Sequence, residues 1–400
     1  MFFKTENPYD SLIKFAKSRL KENGKILIAM DNKFGIKYFS GAKSEHYDSP
    51  FNSIIGQDGM TSKMLSKVEI EKILKENDLN NYKFYYPLPD YKIPNVFFSD
   101  EYIPNKNTSK LVYDAYYLDG SKVVFNEVSA IKEITDKNEF KNFANSFFIE
   151  IALNKDDELS KTKFISYNNS RKINYNLMLK IEENKVIKET ISEEAKQHIQ
   201  KIARNIETLK QLGFEINENY NDGKIESDFE TAETFDKFLL RILQTEGKDR
   251  MYEEINKWYS YVYNKLINSE VKEKLLVYDK LKVDIKVSVA DKLHFIKNGF
   301  IDLVFENTFI DNEKYKFFDQ EWYIENVPIE FILYRAISNF TSYYQEKNMP
   351  SKEEMFEKFE IIDFMQEFQK IEKHFQEEVL DKATIKRTEH SKNMIYDINN

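Results

Sequence analysis

The stretch that decides the fold of the C-terminal part is GFIDLVFENTFIDNEKYKFFDQEW, residues 299–322. Two short apolar runs flank a polar turn at 311–313, a pattern typical of a strand–turn–strand hairpin. Asp302 and Asn307 lie five residues apart before the hairpin, and Asp319 follows it. Because Mg²⁺ prefers carboxylate and amide oxygens as ligands, this spacing predicts a magnesium site next to the hairpin.

Phosphotransferases of the protein-kinase and aminoglycoside-kinase type use the same D-x-x-x-x-N…D spacing. There the first Asp accepts or orients the substrate hydroxyl, while the Asn and the second Asp hold the magnesium ions that neutralise the transferring phosphate. On this hypothesis Asp302 is the catalytic residue, and Asn307 and Asp319 are the metal ligands. The alternative is a solvated loop between helices, because an Asp and an Asn five apart recur by chance in a polar chain.

The segment upstream of this stretch predicts a small lobe. Its three strands alternate apolar and polar residues, and they lie at 162–167, 173–181 and 185–190. A long helix is predicted to begin at Ser192. A kinase small lobe needs a lysine on its third strand to bind the α and β phosphates, paired with a glutamate on the next helix. Lys188 and Glu194 occupy these positions and are the predicted nucleotide-binding pair.

Two features depart from an active kinase. The hairpin turn, residues 168–171, contains no glycine, so its backbone cannot approach nucleotide phosphates closely; Arg171 could replace it through its guanidinium group. The catalytic loop reads Gly-Phe-Ile-Asp, whereas His-Gly-Asp or His-Arg-Asp is usual. Both features favour a non-catalytic scaffold of the pseudokinase type as the alternative function.

The N-terminal part predicts an α/β sheet. A helix closed by Gly24 precedes KILIAM, an apolar run typical of a parallel-sheet strand. A capping box at Ser66–Glu69 begins another helix. Further strands are predicted at 82–90 and 143–151, with a linker at 154–158. Beyond the small lobe, amphipathic helices are predicted at 231–245, 248–268, 328–345 and 352–380.

Several phrases also carry a family resemblance. FIDLVFENTFI, FFDQEWYIENVPIEFILYRAI and VIKETISEEAKQHIQKI resemble the kinase-like module of bacterial proteins that join a class I SAM-dependent methyltransferase to an aminoglycoside-phosphotransferase-like domain. The segments IAMDNKFGIKYFSGAKSEHYD, YKFYYPLPDYKIPNVFFSDEYIP and FANSFF resemble the second half of the methyltransferase domain. The resemblance covers roughly residues 8 to 380.

The resemblance implies that KILIAM is the fifth strand of a Rossmann-like methyltransferase sheet, with 82–90 and 143–151 as its last two strands. The loop Asn32, Lys33, Gly35 and His46 would line the acceptor side of its cleft, although Asn32 and Gly35 equally suit a tight loop. SAM is the implied cofactor. Its glycine-rich turn and ribose-binding acid belong to earlier strands, which this chain lacks, so we expect that the chain alone does not bind SAM in the family manner.

The predicted architecture is therefore α/β plus α+β: the C-terminal half of a Rossmann-like methyltransferase sheet, followed by a two-lobed kinase-like domain. The predicted domains are a partial methyltransferase-like domain at 1–153 and a kinase-like domain at 160–385, with a tail at 386–400. Within the kinase-like domain the small lobe spans about 160–213, and the helical lobe spans about 214–385.

Composition excludes several classes of protein. The 10 glycines contain no G-x-G pair, which excludes a dinucleotide fingerprint and a Walker A loop. The absence of cysteine excludes disulfides and thiolate sites. A net charge of -9 argues against nucleic-acid partners. No apolar run approaches the length of a membrane span, and no signal peptide is recognisable, so a cytoplasmic location is expected.

Three functions remain open from the sequence. The first is a kinase-like protein that binds Mg²⁺ and ATP and phosphorylates a small hydroxylated or glycan acceptor. The second is a methyltransferase-family protein of surface-glycan (polysaccharide) biosynthesis whose SAM-binding half is a separate partner, or a truncated remnant of one. The third is the pseudokinase-like scaffold.

Overall fold

A computed structural model describes residues 8–43, 49–56, 63–104, 124–168, 170–271, 276–278, 281–283, 287–312, 314–344, 346 and 348–381. These residues form two compact units. Unit 1 comprises those up to 168 together with 178–184, and unit 2 comprises 170–177 and 185–381. This division differs from the predicted boundary at 153–160, because the strand at 162–167 pairs with the strand at 96–99 of unit 1.

Unit 1 contains one antiparallel sheet. Its strands are β1 (Lys25–Asp31), β2 (Asn81–Leu88), β3 (Val96–Ser99), β4 (Ser146–Ala152), β5 (Thr162–Tyr167) and β6 (Leu177–Glu182, of which 178–182 belong to the unit). Their order is β1-β4-β2-β3-β5-β6. Its helices are α1 (Pro8–Arg19), α2 (Ile36–Phe39), α3 (Lys67–Glu76), α4 (Glu127–Asp136) and α5 (Phe140–Phe143).

The position of β4 corrects the predicted parallel pairing of KILIAM. β4 lies between β1 and β2 and runs antiparallel to both, so that Ile149 faces Ile28 on one side and Phe84 on the other. The prediction that 143–151 returns to the first sheet is confirmed. β1 and β2 run in the same direction but do not touch, because the returning strand takes the hydrogen bonds between them. The Rossmann-like assignment of this unit remains a prediction.

Aromatic side chains form the core of unit 1. Phe84, Tyr86 and Phe147 pack against one another with ring centroids 5.5–6.4 Å apart, and all three are fully buried. β1 is an edge strand of this sheet. Among the described residues it pairs with β4 alone, and the side chain of Leu27 on β1 is 61% exposed. The capping box of α3 is present, with Ser66 and Glu69 bonded reciprocally as predicted.

Unit 2 contains several small sheets. Its strands are β7 (Lys185–Thr190), β8 (Glu215–Ile216), β9 (Asn219–Asn221), β10 (Lys224–Asp228), β11 (Leu276–Tyr278), β12 (Leu281–Val283), β13 (Phe295–Phe300), β14 (Thr308–Asp311), β15 (Lys314–Phe317) and β16 (Tyr323–Pro328). β10 pairs antiparallel with β7 and β9, β13 with β16, β11 with β12, and β14 with β15; β8 runs parallel to β15.

The helices of unit 2 surround a large apolar core. They are α6 (Lys196–Gln211), α7 (Phe235–Thr245), α8 (Lys248–Leu266), α9 (Val287–Ala290), α10 (Ile329–Tyr343), α11 (Lys352–Lys358) and α12 (Met365–Val379). Trp258 on α8 is fully buried and contacts Phe235 and Phe305 with ring centroids 6.2 and 4.9 Å away. No helix of the described chain is both long enough and apolar enough to cross a membrane.

Three predicted elements need correction. The strand predicted at 173–181 is a 3-10 helix at Ile173–Tyr175 followed by β6. The helix predicted from Ser192 begins four residues later, after a turn. The helix predicted over 352–380 is broken, because Glu360 adopts φ +58° and ends the first segment. A left-handed residue cannot continue a right-handed helix.

Gly299, the first residue of the deciding stretch, is required by a close approach inside the β13–β16 pair. A Cβ added there would lie 2.1 Å from Cγ1 of Val327 and 2.5 Å from the carbonyl oxygen of Ile324. We expect Gly299→Ala to destabilise unit 2 by about 1–3 kcal/mol through overpacking, measured by urea unfolding. Lys297→Ala, an exposed site on the same strand, is the control. A Gly299→Ala protein as stable as the control would contradict this packing.

Candidate functional site

Lys188 on β7 is the centre of the candidate site in unit 2. Its side chain is buried, and Nζ lies 3.1 Å from Oε1 of Glu218 and 2.5 Å from Oδ1 of Asp319. Burial disfavours the charge, but the carboxylates of Asp319 and Glu218 outweigh it and raise the pKa of Lys188 above its ordinary value. The lysine therefore remains a cation, the form that binds phosphate.

The glutamate that pairs with Lys188 is Glu218, which corrects the predicted partner Glu194. Because α6 begins only at Lys196, Glu194 lies in the preceding turn and is exposed. Glu218 lies between β8 and β9 and is only 4% exposed. A sequence pattern could not identify it, because it stands in a short connection 30 residues after Lys188.

Glu218 also holds the backbone of Asp319. Its Oε2 accepts the N–H of Asp319 at 2.9 Å, while its Oε1 binds Lys188. Asp319 itself has φ +56°, a left-handed conformation that costs a residue other than glycine about 1–3 kcal/mol. Its side chain is 43% exposed. The structure therefore maintains a strained backbone that presents this carboxylate to solvent.

The β14–β15 hairpin brings Asn307 next to the segment that carries Asp319. Thr308 pairs with Phe317, and the carbonyl of Asn307 accepts the N–H of Phe318 at 3.1 Å. The amide Nδ2 of Asn307 donates to the carbonyl of Asp302 at 3.3 Å. The predicted hairpin is thus confirmed, and Asn307 keeps its side-chain oxygen as an acceptor.

The donor chemistry at Asn307 and Asp319 fits a magnesium ion bound together with a nucleotide. Among the described residues no three acidic or histidine side chains form a metal-binding group. Mg²⁺ in nucleotide sites usually takes one or two carboxylates and completes its shell with phosphates and water. The amide oxygen of Asn307 and the exposed carboxylate of Asp319 are the groups that would hold it.

Asp302 lies beneath the turn that follows Asp319. Its Oδ2 accepts the backbone N–H groups of Glu321 and Trp322 at 3.0 and 2.7 Å. NH1 of Arg335 lies 3.9 Å from Oδ1. Burial raises the pKa of Asp302 to about 7, although the charge of Arg335 opposes the rise. A carboxyl group with this pKa can exchange a proton near neutral pH.

Glu321 forms a second buried charge cluster, which includes Arg171. NH1 of Arg171 donates to Oε1 of Glu321, and the guanidinium lies 5.3 Å from the ring centroid of Trp322. Nε2 of His198 lies 2.5 Å from the same Oε1. Burial would raise the pKa of Glu321, but Arg171 and then His198 lower it to about 2. Arg171 thus binds Glu321, and its contact with phosphate remains a prediction.

Glu321 carries no role predicted from the sequence. It stands two residues after Asp319, and only the fold places Arg171 and His198 around it. His198 is 3% exposed, as expected for a core histidine on α6. Helix periodicity predicts this burial but not the hydrogen bond between His198 and Glu321.

In unit 1, Asn32 holds the loop that follows β1 instead of facing a cleft. It is fully buried, and its Nδ2 donates to the carbonyls of Asn142 and Ala144, both at 2.8 Å. A Cβ on Gly35 would lie 2.9 Å from Cα of Asn145, so this glycine permits a close approach. These contacts favour the tight-loop interpretation of Asn32 and Gly35.

Lys33, the next residue of the predicted acceptor loop, contacts its neighbours in the chain and the segment before α3. Nζ of Lys33 lies 5.5 Å from the ring centroid of Phe34, and its backbone N–H donates to the carbonyl of Leu65. His46 lies outside the described residues. Nearby, the buried Lys37 binds the carboxylates of Asp31 and Asp90. Nζ of Lys92 lies 3.4 Å from Oδ2 of Asp31, so two lysines face the two carboxylates and the cluster stabilises the loop.

Comparisons with known proteins give little. No protein-family model matches the chain, and no curated protein matches it. A crystal structure of a choline kinase from Streptococcus pneumoniae is similar over 54% of this chain and 88% of that chain, with 16% sequence identity and a TM-score of 0.30. A TM-score of this size does not establish a shared fold.

Proposed function

We propose that unit 2 is a kinase-like phosphotransferase that binds Mg-ATP and transfers phosphate to a small hydroxylated acceptor. The observation that carries the proposal is the cluster of Lys188, Glu218 and Asp319. A buried lysine held by a buried glutamate, with an exposed aspartate fixed beside it, supplies a phosphate-binding cation and a metal ligand at one place.

The roles follow from the chemistry of each side chain. Asp319 and Asn307 would hold the magnesium ion, which supplies charge neutralisation on the phosphates when it is bound. Lys188 would then direct its charge to the phosphates, while Glu218 keeps its ammonium group in place. Asp302, with a pKa of about 7, would accept the proton of the acceptor hydroxyl.

The binding step is tested by thermal unfolding with and without millimolar Mg-ATP. A ligand at about 100 times its Kd stabilises the folded state by about 2.7 kcal/mol, which raises the Tm of a unit of this size by about 5–10 °C. We expect Asp319→Asn to abolish this shift, because an amide binds both Lys188 and Mg²⁺ more weakly.

Asp311→Asn is the matched control for that experiment. The same Asp-to-Asn change can be made at Asp311, which is exposed at the turn of the β14–β15 hairpin and does not contact Lys188. The control should keep the full shift. If the wild-type protein shows no shift at millimolar Mg-ATP, or if Asp319→Asn keeps it, the nucleotide site is wrong.

Transfer is tested separately from binding. ADP release in the presence of amino alcohols and sugars should exceed the release in buffer alone for at least one acceptor class, and Asp302→Asn should remove that excess. Nucleotide binding without any acceptor-dependent ADP release would instead support the scaffold alternative. The ion pair between Arg171 and Glu321 is the specific observation that favours this alternative, because it engages the side chain to which the hairpin's phosphate contact is assigned.

For unit 1 we propose a methyltransferase-like sheet that functions in surface-glycan biosynthesis. The order β1-β4-β2 supports it, since the predicted fifth strand and the two predicted last strands lie side by side. A separately encoded SAM-binding partner is part of this proposal. Isothermal titration tests it. SAM is titrated into the chain alone and into a mixture of the chain with the product of a neighbouring reading frame, and we expect SAM binding only in the mixture.

A further inference from the structure

The chain that leaves α12 pairs with the part of unit 2 that carries Arg171. Residues 379–381, here called the strap, run antiparallel to residues 170–172, here called the Arg171 segment. Two backbone hydrogen bonds, 2.9 and 3.0 Å long, join the two segments. Their donors are the N–H groups of Lys172 and Asp381, and the respective acceptors are the carbonyls of Val379 and Ser170. The end of α12 is thus tied to the Arg171 segment by its backbone.

Glu378, the residue before the strap, adds side-chain contacts at the same place. Its Oε2 lies 3.5 Å from Nζ of Lys172, and its Oε1 accepts the hydroxyl of Tyr175 at 3.2 Å. The side chains of Lys172 and Glu378 are 33% and 36% exposed, and an ion pair in such contact with water contributes little to stability. The strap is therefore held by contacts that can open locally while the core of unit 2 stays folded.

The Arg171 segment connects the strap to the candidate phosphotransfer site. The guanidinium of Arg171 binds Glu321, which lies two residues after Asp319. Asp319 in turn binds Lys188. Because the strap is hydrogen-bonded to the backbone on both sides of Arg171, a closed strap favours the Arg171–Glu321 ion pair over any other contact of this guanidinium.

We propose that the strap is an autoinhibitory contact: a closed strap keeps Arg171 on Glu321, and an open strap makes Arg171 available to a nucleotide phosphate. The inference rests on the phosphotransferase function proposed for unit 2. When only one of two states is competent to bind, the apparent affinity is reduced by the fraction of protein in that state. A change that opens the strap should therefore strengthen Mg-ATP binding, whereas breaking a merely structural contact would weaken binding or leave it unchanged.

Lys172 allows the strap to be opened by one substitution. Its φ of -59° is the value that proline requires, so Lys172→Pro fits the backbone and removes the N–H that bonds Val379. Lys172→Ala, the matched control, removes the same side chain but keeps this N–H. By isothermal titration we expect Lys172→Pro to bind Mg-ATP about three- to tenfold more tightly than the wild-type protein, the change that one hydrogen bond makes to an equilibrium. Lys172→Ala should stay within about twofold of the wild-type protein, because it loses only an exposed ion pair.

A reversible lock tests the closed state. The chain contains no cysteine, so Ser170→Cys combined with Asp381→Cys introduces one pair, at opposite positions of the strap and the Arg171 segment. Opposite residues of antiparallel strands have Cα atoms about 4.5–5.5 Å apart, a separation that a disulfide spans. The oxidised protein should bind Mg-ATP at least about threefold more weakly than the same protein after reduction. Equal affinity before and after reduction would overturn the inference.

Hydrogen exchange measures strap opening without any nucleotide. The amide of Asp381 should exchange faster in the Lys172→Pro protein than in the Lys172→Ala protein, and equal exchange would overturn the inference. Faster exchange with unchanged or weaker Mg-ATP binding would also overturn it, since the strap would then be a structural contact only. If neither the wild-type protein nor Lys172→Pro binds Mg-ATP, the phosphotransferase function fails and the inference fails with it. Mg-ATP binding by the wild-type protein that no strap variant alters overturns the inference alone.

Discussion

Glu321→Gln is expected to lower the free energy of unfolding of unit 2 by about 3–5 kcal/mol, the usual effect of breaking a buried ion pair. The carboxylate accepts from Arg171 and contacts His198, and all three side chains lie among apolar neighbours such as Trp322. Glutamine keeps the shape but removes the carboxylate charge that the guanidinium contacts. The midpoint of urea unfolding, followed by far-UV circular dichroism, measures the loss.

A double variant separates charge from packing. Arg171→Met combined with Glu321→Met removes both charges and keeps comparable volume. We expect the double variant to be more stable than the sum of the two single changes predicts, because each single change strands a buried charge. Additive losses would show that the two side chains stabilise unit 2 independently, contrary to the contact between them.

The same pair predicts a dependence on pH. The pKa of Glu321 is about 2 in the folded protein, below its ordinary value of 4.5. A lowered pKa means that the folded state binds this proton less readily, so the contribution is fully present above about pH 4.5 and is lost as the pH falls toward 2. The stability difference between the wild-type protein and Glu321→Gln should therefore shrink over this interval. A constant difference would contradict the assignment.

Asp302→Asn is expected to abolish phosphate transfer and, at the same time, to stabilise unit 2 above neutral pH. The pKa of Asp302 is about 7, whereas its ordinary value is 3.8. Because each tenfold change in a proton-binding constant corresponds to about 1.4 kcal/mol, the ionised group costs the folded state up to about 4 kcal/mol above pH 7. An asparagine oxygen can still accept the N–H groups of Glu321 and Trp322 without that cost.

The sign of the Asp302 effect is opposite to that of Glu321. A raised pKa means that the folded state holds the proton between about pH 3.8 and 7, so the carboxyl group becomes increasingly unfavourable as the pH rises through this range. The Tm difference between Asp302→Asn and the wild-type protein should grow from pH 4 to 7 and then level off. Destabilisation by Asp302→Asn at pH 8, or retained transfer, would contradict the role given to Asp302.

The difference between Glu194 and Glu218 shows what sequence order can miss. Order along the chain places Lys188 on a strand and a glutamate soon after it. The ion pair, however, depends on which carboxylate the fold brings to the lysine. Glu194 is exposed in a turn, whereas Glu218 is buried beside Lys188 although it lies farther along the chain. Helix periodicity carries no information about a residue in such a connection.

The sequence by itself determined the local elements and one hairpin. The Ser66–Glu69 capping box and the β14–β15 hairpin follow from contacts between near neighbours, whose preferences are visible in a single chain. The strand at 185–190 is also predicted from the sequence, although its pairing with β10 is a distant contact. It also determined that Asp302, Asn307 and Asp319 belong to one stretch, because their spacing is a property of the chain.

Only the tertiary structure decided the electrostatics of the site. It placed Glu218 and Asp319 around Lys188, turned Arg171 toward Glu321, and buried Asp302 beneath the 319–322 turn. It also inserted β4 between β1 and β2. Burial and the approach of distant charges set a pKa, and neither is encoded in local spacing. For this reason the sequence could name the residues with the relevant chemistry but not the charge state in which each is held.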